Sequence, residues 1–338
     1  MADASLIWGK LFLCLLIIGV AGSRLSRYGD VIAEKTGLGG SWIGLVLMAT
    51  VTSLPELVTG VSSVTVANVP NIAVGNVLGA CVMNLAMIFL LDFLHREASV
   101  YTRASHGHIL AAGFSLVMLA VVGFNLLVAP TGIAPQLGHV GLYTPVILVL
   151  YLVAMRVLYL YETAQQDAYV AERAARYPDI TLRQAVARYA AFAGVVVLAA
   201  LWLPFVAEEL AAAMGWQRSF VGTIFVALVT TTPELVVTLA ALRLGALDMA
   251  IGNLFGSNLF NLTLIAVDDL AYLEGSLLAQ VAPVHAVSAF SAIAMTGATV
   301  VGLFYRDEGR LYRRMGWASI FLFLAYLLNS YVLYLYQE

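Results

Sequence analysis

Apolar runs of about 20 residues alternate with short polar interruptions along nearly the whole chain. That is the pattern of helices that cross a bilayer, not of amphipathic surface helices or half-buried strands. It predicts ten helices, at 4–23, 42–67, 71–94, 107–129, 141–161, 189–213, 219–242, 248–272, 278–304 and 315–336. The most polar interruption, 162–188, contains Glu172-Arg-Ala-Ala-Arg-Tyr-Pro-Asp179 and divides five helices from five. It is too short to form a soluble domain of its own. The expected organisation is a five-helix unit over 1–161, a cytoplasmic linker over 162–188 and a second five-helix unit over 189–338, all within one membrane domain.

Self-similarity sharpens this picture. Ser41–Val64 aligns with Ser219–Leu242 at an offset of 178, with 9 identities in 24 positions. Val74–Leu85 aligns with Ile251–Leu262 at an offset of 177, with 5 in 12. Five helices per copy is an odd number, so the second copy enters the membrane from the other side. The predicted fold is therefore an all-α integral membrane protein of ten transmembrane helices in two inverted-topology repeats of five. In many secondary transporters such repeats meet at an ion site near the midplane.

Charge orients the predicted bundle. The segments that follow helices 1, 3, 5, 7 and 9, together with Arg156 near the end of helix 5, hold 15 of the 17 Lys and Arg residues, leaving Lys10 and Arg218 on the opposite side. The positive-inside rule then puts both termini outside the cytoplasm, in a multi-pass protein of the plasma (inner) membrane. Met1–Lys10 lacks the basic stretch of a cleavable signal, and the apolar run after it is read as the first span. Composition agrees: 62% of residues are hydrophobic and 11% charged, against about 25% charged in soluble domains. The net charge of −3 says nothing about nucleic acid, but no basic patch with interleaved aromatics occurs, so no nucleic-acid partner is expected. Cys14 and Cys81 fall in apolar runs and read as small buried hydrophobes.

The chemistry sits inside the repeated helices. Thr52-Ser-Leu-Pro-Glu56 and Thr230-Thr-Thr-Pro-Glu234 each set a threonine four residues before a glutamate, on one helix face. The proline between them removes the bond to the carbonyl four residues back, which is Val51 in one copy and Val229 in the other. Carboxylates, hydroxyls and freed carbonyls are hard oxygen ligands of the kind Ca²⁺ and Na⁺ accept. No Lys or Arg falls near either glutamate in the predicted spans, so a structural ion pair lacks a partner. Downstream, Asn76, Ala80 and Asn84, and again Asn253, Ser257 and Asn261, recur at i, i+4 and i+8. Each helix thus carries a narrow polar stripe, flanked by glycines that admit a close neighbour. Asn76 and Asn253 read as structural.

These paired Thr-Ser/Thr-x-Pro-Glu and Gly-Asn-x-x-Gly-x-x-x-x-Asn segments resemble the alpha repeats of the sodium/calcium exchanger family, within the cation/calcium exchanger superfamily. Its prokaryotic members have ten helices in two inverted halves. The resemblance implies a secondary antiporter that exchanges Ca²⁺ for Na⁺ by alternating access, the first and sixth helices sliding against a core that holds one shared site. It implies Glu56 and Glu234 as the principal Ca²⁺ ligands, joined by oxygens of Thr52 and Thr230. Ser53, Thr231, Ser257, Asn84 and Asn261 would line flanking Na⁺ and water positions. Ca²⁺ and Na⁺ are then cargo. No tightly bound cofactor and no obligate protein partner are expected beside the lipid bilayer. The chain departs from the family pattern at Val51 and Val229, often glycine, at Ala80, usually serine, and at Asn261, aspartate in some members.

Three other readings compete. A Ca²⁺/H⁺ antiporter, or one for another divalent cation and H⁺, would use the same two glutamates. A membrane-embedded hydrolase would use them for acid/base or metal chemistry, but no nucleophile–base pair or histidine cluster lies among the spans. A passive channel fits poorly with a proline-broken, duplicated site. The acids Asp30, Asp92, Glu208, Glu209, Asp268 and Asp269 lie near predicted helix ends and read as solvated, with a gating role for Glu208 or Glu209 as the alternative. The five histidines are scattered and read as bland.

Overall fold

A computed structural model of the chain describes residues 4–36, 49, 51–95, 99–104, 107–166, 179–243, 245, 247–305 and 315–336. In chain order the main helices are α1 (Ala4–Lys35), α2 (Leu54–Thr65), α3 (Pro70–Leu94), α4 (Gly107–Val128), α5 (Tyr143–Gln166) and α6 (Leu182–Met214). There follow α7 (Arg218–Thr230), α8 (Thr232–Arg243), α9 (Leu247–Ala271), α10 (His285–Tyr305) and α11 (Trp317–Leu335). A two-residue ribbon pairs Gln136–Leu137 with Val140–Gly141 ahead of α5.

Among the described residues, eight helices are long and apolar enough to cross a membrane, or nine if α7 and α8, bent by 47° at Thr231, count as one span. The chain is a multi-pass, all-helical membrane protein. Of the second predicted helix, residues 42–48 and 50 lie outside the described residues, as do 167–178 of the linker.

Two helices outrun their predicted ends. α1 continues from residue 23 to Lys35, and α6 begins at Leu182, not 189. Hydropathy follows the hydrocarbon span, whereas these extensions are amphipathic. Leu25, Tyr28 and Val31 bury one face of α1, and Ala185 is buried on α6 beside them. Tyr28 stacks on Phe192 with ring centroids 5.9 Å apart. Thr181 and Gln184 close a capping box at the start of α6. At the other end of the pair Lys10 Nζ donates to Glu209 at 2.5 Å, and Arg218 binds Glu208 through Nε at 2.6 Å. Glu208 and Glu209 are therefore ion-paired, not free charges.

The α1/α6 pair flanks a polar centre made by α2, α3, α7, α8 and α9, with α4, α5, α10 and α11 on the far side. Enclosure identifies that centre. In α3 and α9, 72% and 83% of the apolar window is buried, against 28% in α5 and α11. α3 and the π-helical turn Gly222–Val226 of α7 meet backbone to backbone. A Cβ at Gly79 would fall 2.7 Å from the Cα of Thr223.

Asp92, Asp268 and Asp269 correct the sequence reading: all three are buried. Asp92, near the end of α3, accepts from Ser99 Oγ at 3.1 Å, Val100 N at 3.0 Å, Gly316 N at 2.8 Å and Ser319 Oγ at 2.8 Å. Asp269, near the end of α9, accepts from Gly141 N at 2.9 Å, Tyr143 Oη and Thr144 Oγ1 at 2.5 Å each, and Leu277 N at 2.7 Å. Each acid thus binds the amide eight residues ahead and the start of another helix, α11 in one case and α5 in the other. Asp269 also explains why α10 starts at His285 and not at 278. It pins Leu277 into a separate turn, Leu277–Ala279, before the chain re-enters the bundle.

Candidate functional site

Both proline motifs break their helices at the same place. Ser53 is the turn residue before α2, and Thr231 occupies the matching turn between α7 and α8. Pro55 and Pro233 follow in the first turn, where a missing N–H costs nothing because those donors have no partner within a helix. Each break leaves a short helix starting inside the apolar layer, with Glu56 or Glu234 in its first turn. The positive end of the helix dipole favours a carboxylate there.

The two breaks interlock. Ser53 Oγ donates to Glu234 Oε1 at 3.0 Å, with Thr52 and Ser257 flanking the same carboxyl. Thr52 Oγ1 and Ser257 Oγ lie 3.3 Å apart. Reciprocally, Thr230 lies beside Glu56, and the two carboxyls are within electrostatic reach of each other. Thr230 also donates to Asn76 Oδ1 at 2.9 Å, which gives Asn76 a positioning role. Asn253 Nδ2 donates to Thr238 Oγ1 at 3.1 Å.

All nine sequence-nominated residues are buried: Thr52, Ser53, Glu56, Asn84, Thr230, Thr231, Glu234, Ser257 and Asn261. They are not all used alike. Thr231 Oγ1 donates to Ala227 O at 2.7 Å and lies 3.1 Å from Met83 Sδ, whereas its counterpart Ser53 reaches a carboxyl. Asn84 Nδ2 donates to Asn258 Oδ1 at 3.0 Å, and Asn258 Nδ2 to Cys81 O at 3.3 Å. Asn258 escaped the sequence reading because its counterpart in the first repeat is Cys81, so duplication gave no signal there.

The unpaired atoms define what the site lacks. Among the described residues, Glu56 Oε1 and Oε2, Glu234 Oε2, Asn84 Oδ1 and Asn261 Oδ1 are buried with no hydrogen-bond partner. Asn76 Nδ2 and Asn261 Nδ2 are unpaired donors in the same region, but acceptors outnumber them. Buried polar atoms are ordinarily satisfied, and an excess of orphaned acceptors is an environment for a positive charge. Among the described residues no three His, Cys, Asp or Glu side chains converge, so a cation held here would meet two carboxylates and neutral oxygens.

α1 packs directly on the break between α7 and α8, with Gly19 against Thr232 and Gly22 against Pro233. A Cβ at Gly22 would fall 2.4 Å from Pro233 Cγ, so the helix can lie against the α7–α8 break only because residue 22 has no side chain. Gly22→Ala is expected to destabilise by about 1–3 kcal/mol, the usual cost of overpacking. Thermal unfolding in detergent measures it. Gly9→Ala on the same helix, where a Cβ meets nothing within 4 Å, is the control and leaves the midpoint unchanged.

The comparisons with known proteins fit this geometry. A sequence profile described as sodium/calcium exchanger protein matches residues 6–161 and 185–332. The chain belongs to the sodium/calcium exchanger family. It is 26% identical over 282 residues to the inner membrane protein YrbG of Escherichia coli (strain K12), covering 76% of this chain and 80% of that one. In fold it is similar to native YfkE, with a TM-score of 0.66, 15% identity, and 96% and 92% of the two chains covered. It is likewise similar to the sodium-calcium exchanger NCX_Mj, with a TM-score of 0.58, 21% identity, and 96% and 98% covered. The protein is thus a membrane antiporter of an exchanger family, and the solved structures support the helical fold.

Proposed function

We propose that this exchanger moves Ca²⁺ against Na⁺ by alternating access at one site built on Glu56 and Glu234. One observation carries the reading: two buried carboxyls, from matching helix breaks, lie within electrostatic reach of each other, with three of their four oxygens unpaired among the described residues. Together they supply a charge of −2, which one Ca²⁺ neutralises and two Na⁺ neutralise equally. The two ions therefore compete for the site and do not ride together. An empty −2 site in a low-dielectric core is costly, so the transporter changes sides loaded and the two fluxes are coupled. Thr52, Ser53, Thr230, Ser257, Asn84 and Asn261 add neutral oxygens around the cations, with Thr231 held back on its own helix.

The fold that serves this mechanism is read as two inverted five-helix repeats, 1–161 and 189–338, joined by a cytoplasmic linker over 162–188. Both termini lie outside the cytoplasm. The parallel anchoring of Asp92 and Asp269 supports the duplication, and the paired α1 and α6 are the natural moving unit. Reconstituted protein tests the function. A Na⁺ gradient drives ⁴⁵Ca²⁺ uptake into proteoliposomes, and a pH gradient of equal size at constant Na⁺ does not. Uptake that follows the pH gradient and ignores Na⁺ would reassign the glutamates to proton exchange.

A further inference from the structure

Five acids are buried among the described residues: Glu56, Asp92, Glu234, Asp268 and Asp269. Two form the exchange site and two, Asp92 and Asp269, are each held by four donors. Asp268 has neither role. It is 1% exposed, and neither carboxyl oxygen has a hydrogen-bond partner among the described residues.

Its position continues the site. On α9, Asp268 follows Ser257 by 11 residues and Asn261 by 7, so at 3.6 residues per turn all three share a face. Asn261 between them leaves both of its amide atoms unpaired. Across the α2–α9 contact, the carboxyl rests on Gly60, one turn along α2 from Glu56. A Cβ at Gly60 would lie 2.6 and 2.7 Å from its two oxygens. The acid thus fills the space a side chain at 60 would take.

The feature belongs to one half only. By the repeat offset of 177, Asp268 corresponds to Leu91, a buried apolar residue. By the offset of 178, Gly60 corresponds to Thr238, which bonds Asn253. The end of α2 and the end of α9 meet on the same side, where Asn68 Nδ2 donates to Glu274 Oε1 at 3.2 Å. A structural carboxylate collects donors, as its neighbour Asp269 does. One that faces a glycine and has no donors is costly unless a cation or a proton joins it.

We infer that Asp268 holds a monovalent cation, Na⁺ or a proton, at a second position between the Glu56/Glu234 site and the face of the protein where α2 and α9 end. A single carboxylate neutralises one such charge, whereas Ca²⁺ there would leave a buried surplus. Among the described residues the ionisable groups nearest it are Asp269, next in the chain and the charged group that acts on it, and Tyr143, which donates to Asp269. With them are Tyr272, one turn on at the end of α9, which donates to Glu274 beyond the helix end, and Glu56 along α2. The inference takes the identity of the transported ion from the exchange reading, but the position stands on the geometry of Asp268 alone.

Two measurements on the purified full-length protein test it. In equilibrium ⁴⁵Ca²⁺ binding, displacement by NaCl at fixed pH and by protons without Na⁺ is compared between wild type and Asp268→Asn. The Hill slope for Na⁺ or for H⁺ falls by about one in the variant, and which slope falls identifies the ion. Ca²⁺ affinity without competitors changes less than about threefold. In thermal unfolding, NaCl against choline chloride, or falling pH, raises the wild-type midpoint more than that of the variant. Unchanged slopes together with an unchanged midpoint response overturn the inference. If wild type binds no Ca²⁺, the exchange reading fails and the midpoint response alone decides Asp268. Should Asp268→Asn not fold, Gly60→Ala, which drives a methyl into the carboxyl, is expected to give the same losses.

Discussion

Glu56→Gln and Glu234→Gln each abolish Na⁺-driven Ca²⁺ uptake, by at least about 100-fold, while the protein still folds. The amide is nearly isosteric and keeps Ser53 as a partner at position 234, so packing survives. What goes is half of the site's charge. A −1 site leaves Ca²⁺ with an uncompensated positive charge in a core where such a charge costs several kcal/mol, and about 2.7 kcal/mol already corresponds to 100-fold in binding. Equilibrium ⁴⁵Ca²⁺ binding, with flux in parallel, checks the result. Ca²⁺ binding within threefold of wild type in both variants would remove the glutamates from the site. The double variant adds little to either single one, because each alone already breaks charge balance.

The second large effect is on folding. Asp269→Ala leaves two backbone amides and two hydroxyls, from Gly141, Leu277, Tyr143 and Thr144, without their acceptor in a buried place. Orphaned buried donors cost about 1–3 kcal/mol each, so even with incomplete additivity the loss exceeds about 4 kcal/mol. At roughly 2 °C per kcal/mol for a chain this large, the melting midpoint drops by about 8 °C or more, and yield falls with it. Asp92→Ala behaves in the same way, since it releases Val100, Gly316, Ser99 and Ser319. Asn at either position is milder, because one carbonyl oxygen still accepts. Thermal unfolding of the purified variants measures all four, and a midpoint within 2 °C of wild type for the alanines would contradict the anchoring role.

What the sequence announced and what it hid follow from one physical distinction. Glu56, Glu234 and the Asn/Ser stripes were legible because polar groups inside apolar runs are costly and these occur twice, at fixed offsets. The breaks at Ser53 and Thr231 were legible through Pro55 and Pro233. The burial of Asp92 and Asp269 was not, because an acid near a helix end looks solvated until distant segments fold back over it. Gly316 and Ser319 lie more than 200 residues from Asp92. Asp268 was hidden for a related reason, since its partner surface is a glycine on another helix. The extra turns of α1 and α6 escaped because apolar spacing, not mean hydropathy, holds them together. Asn258 had no duplicate in the first half to draw notice.

Anomalous diffraction from crystals grown with Ca²⁺, and from crystals transferred to Ca²⁺-free, high-Na⁺ solution, goes straight to the central claim. The expected map has one strong Ca²⁺ peak bridging the Glu56 and Glu234 carboxylates, and that peak disappears in Na⁺. A Ca²⁺ peak bound elsewhere, or one between the glutamates that high Na⁺ leaves untouched, would contradict a shared site.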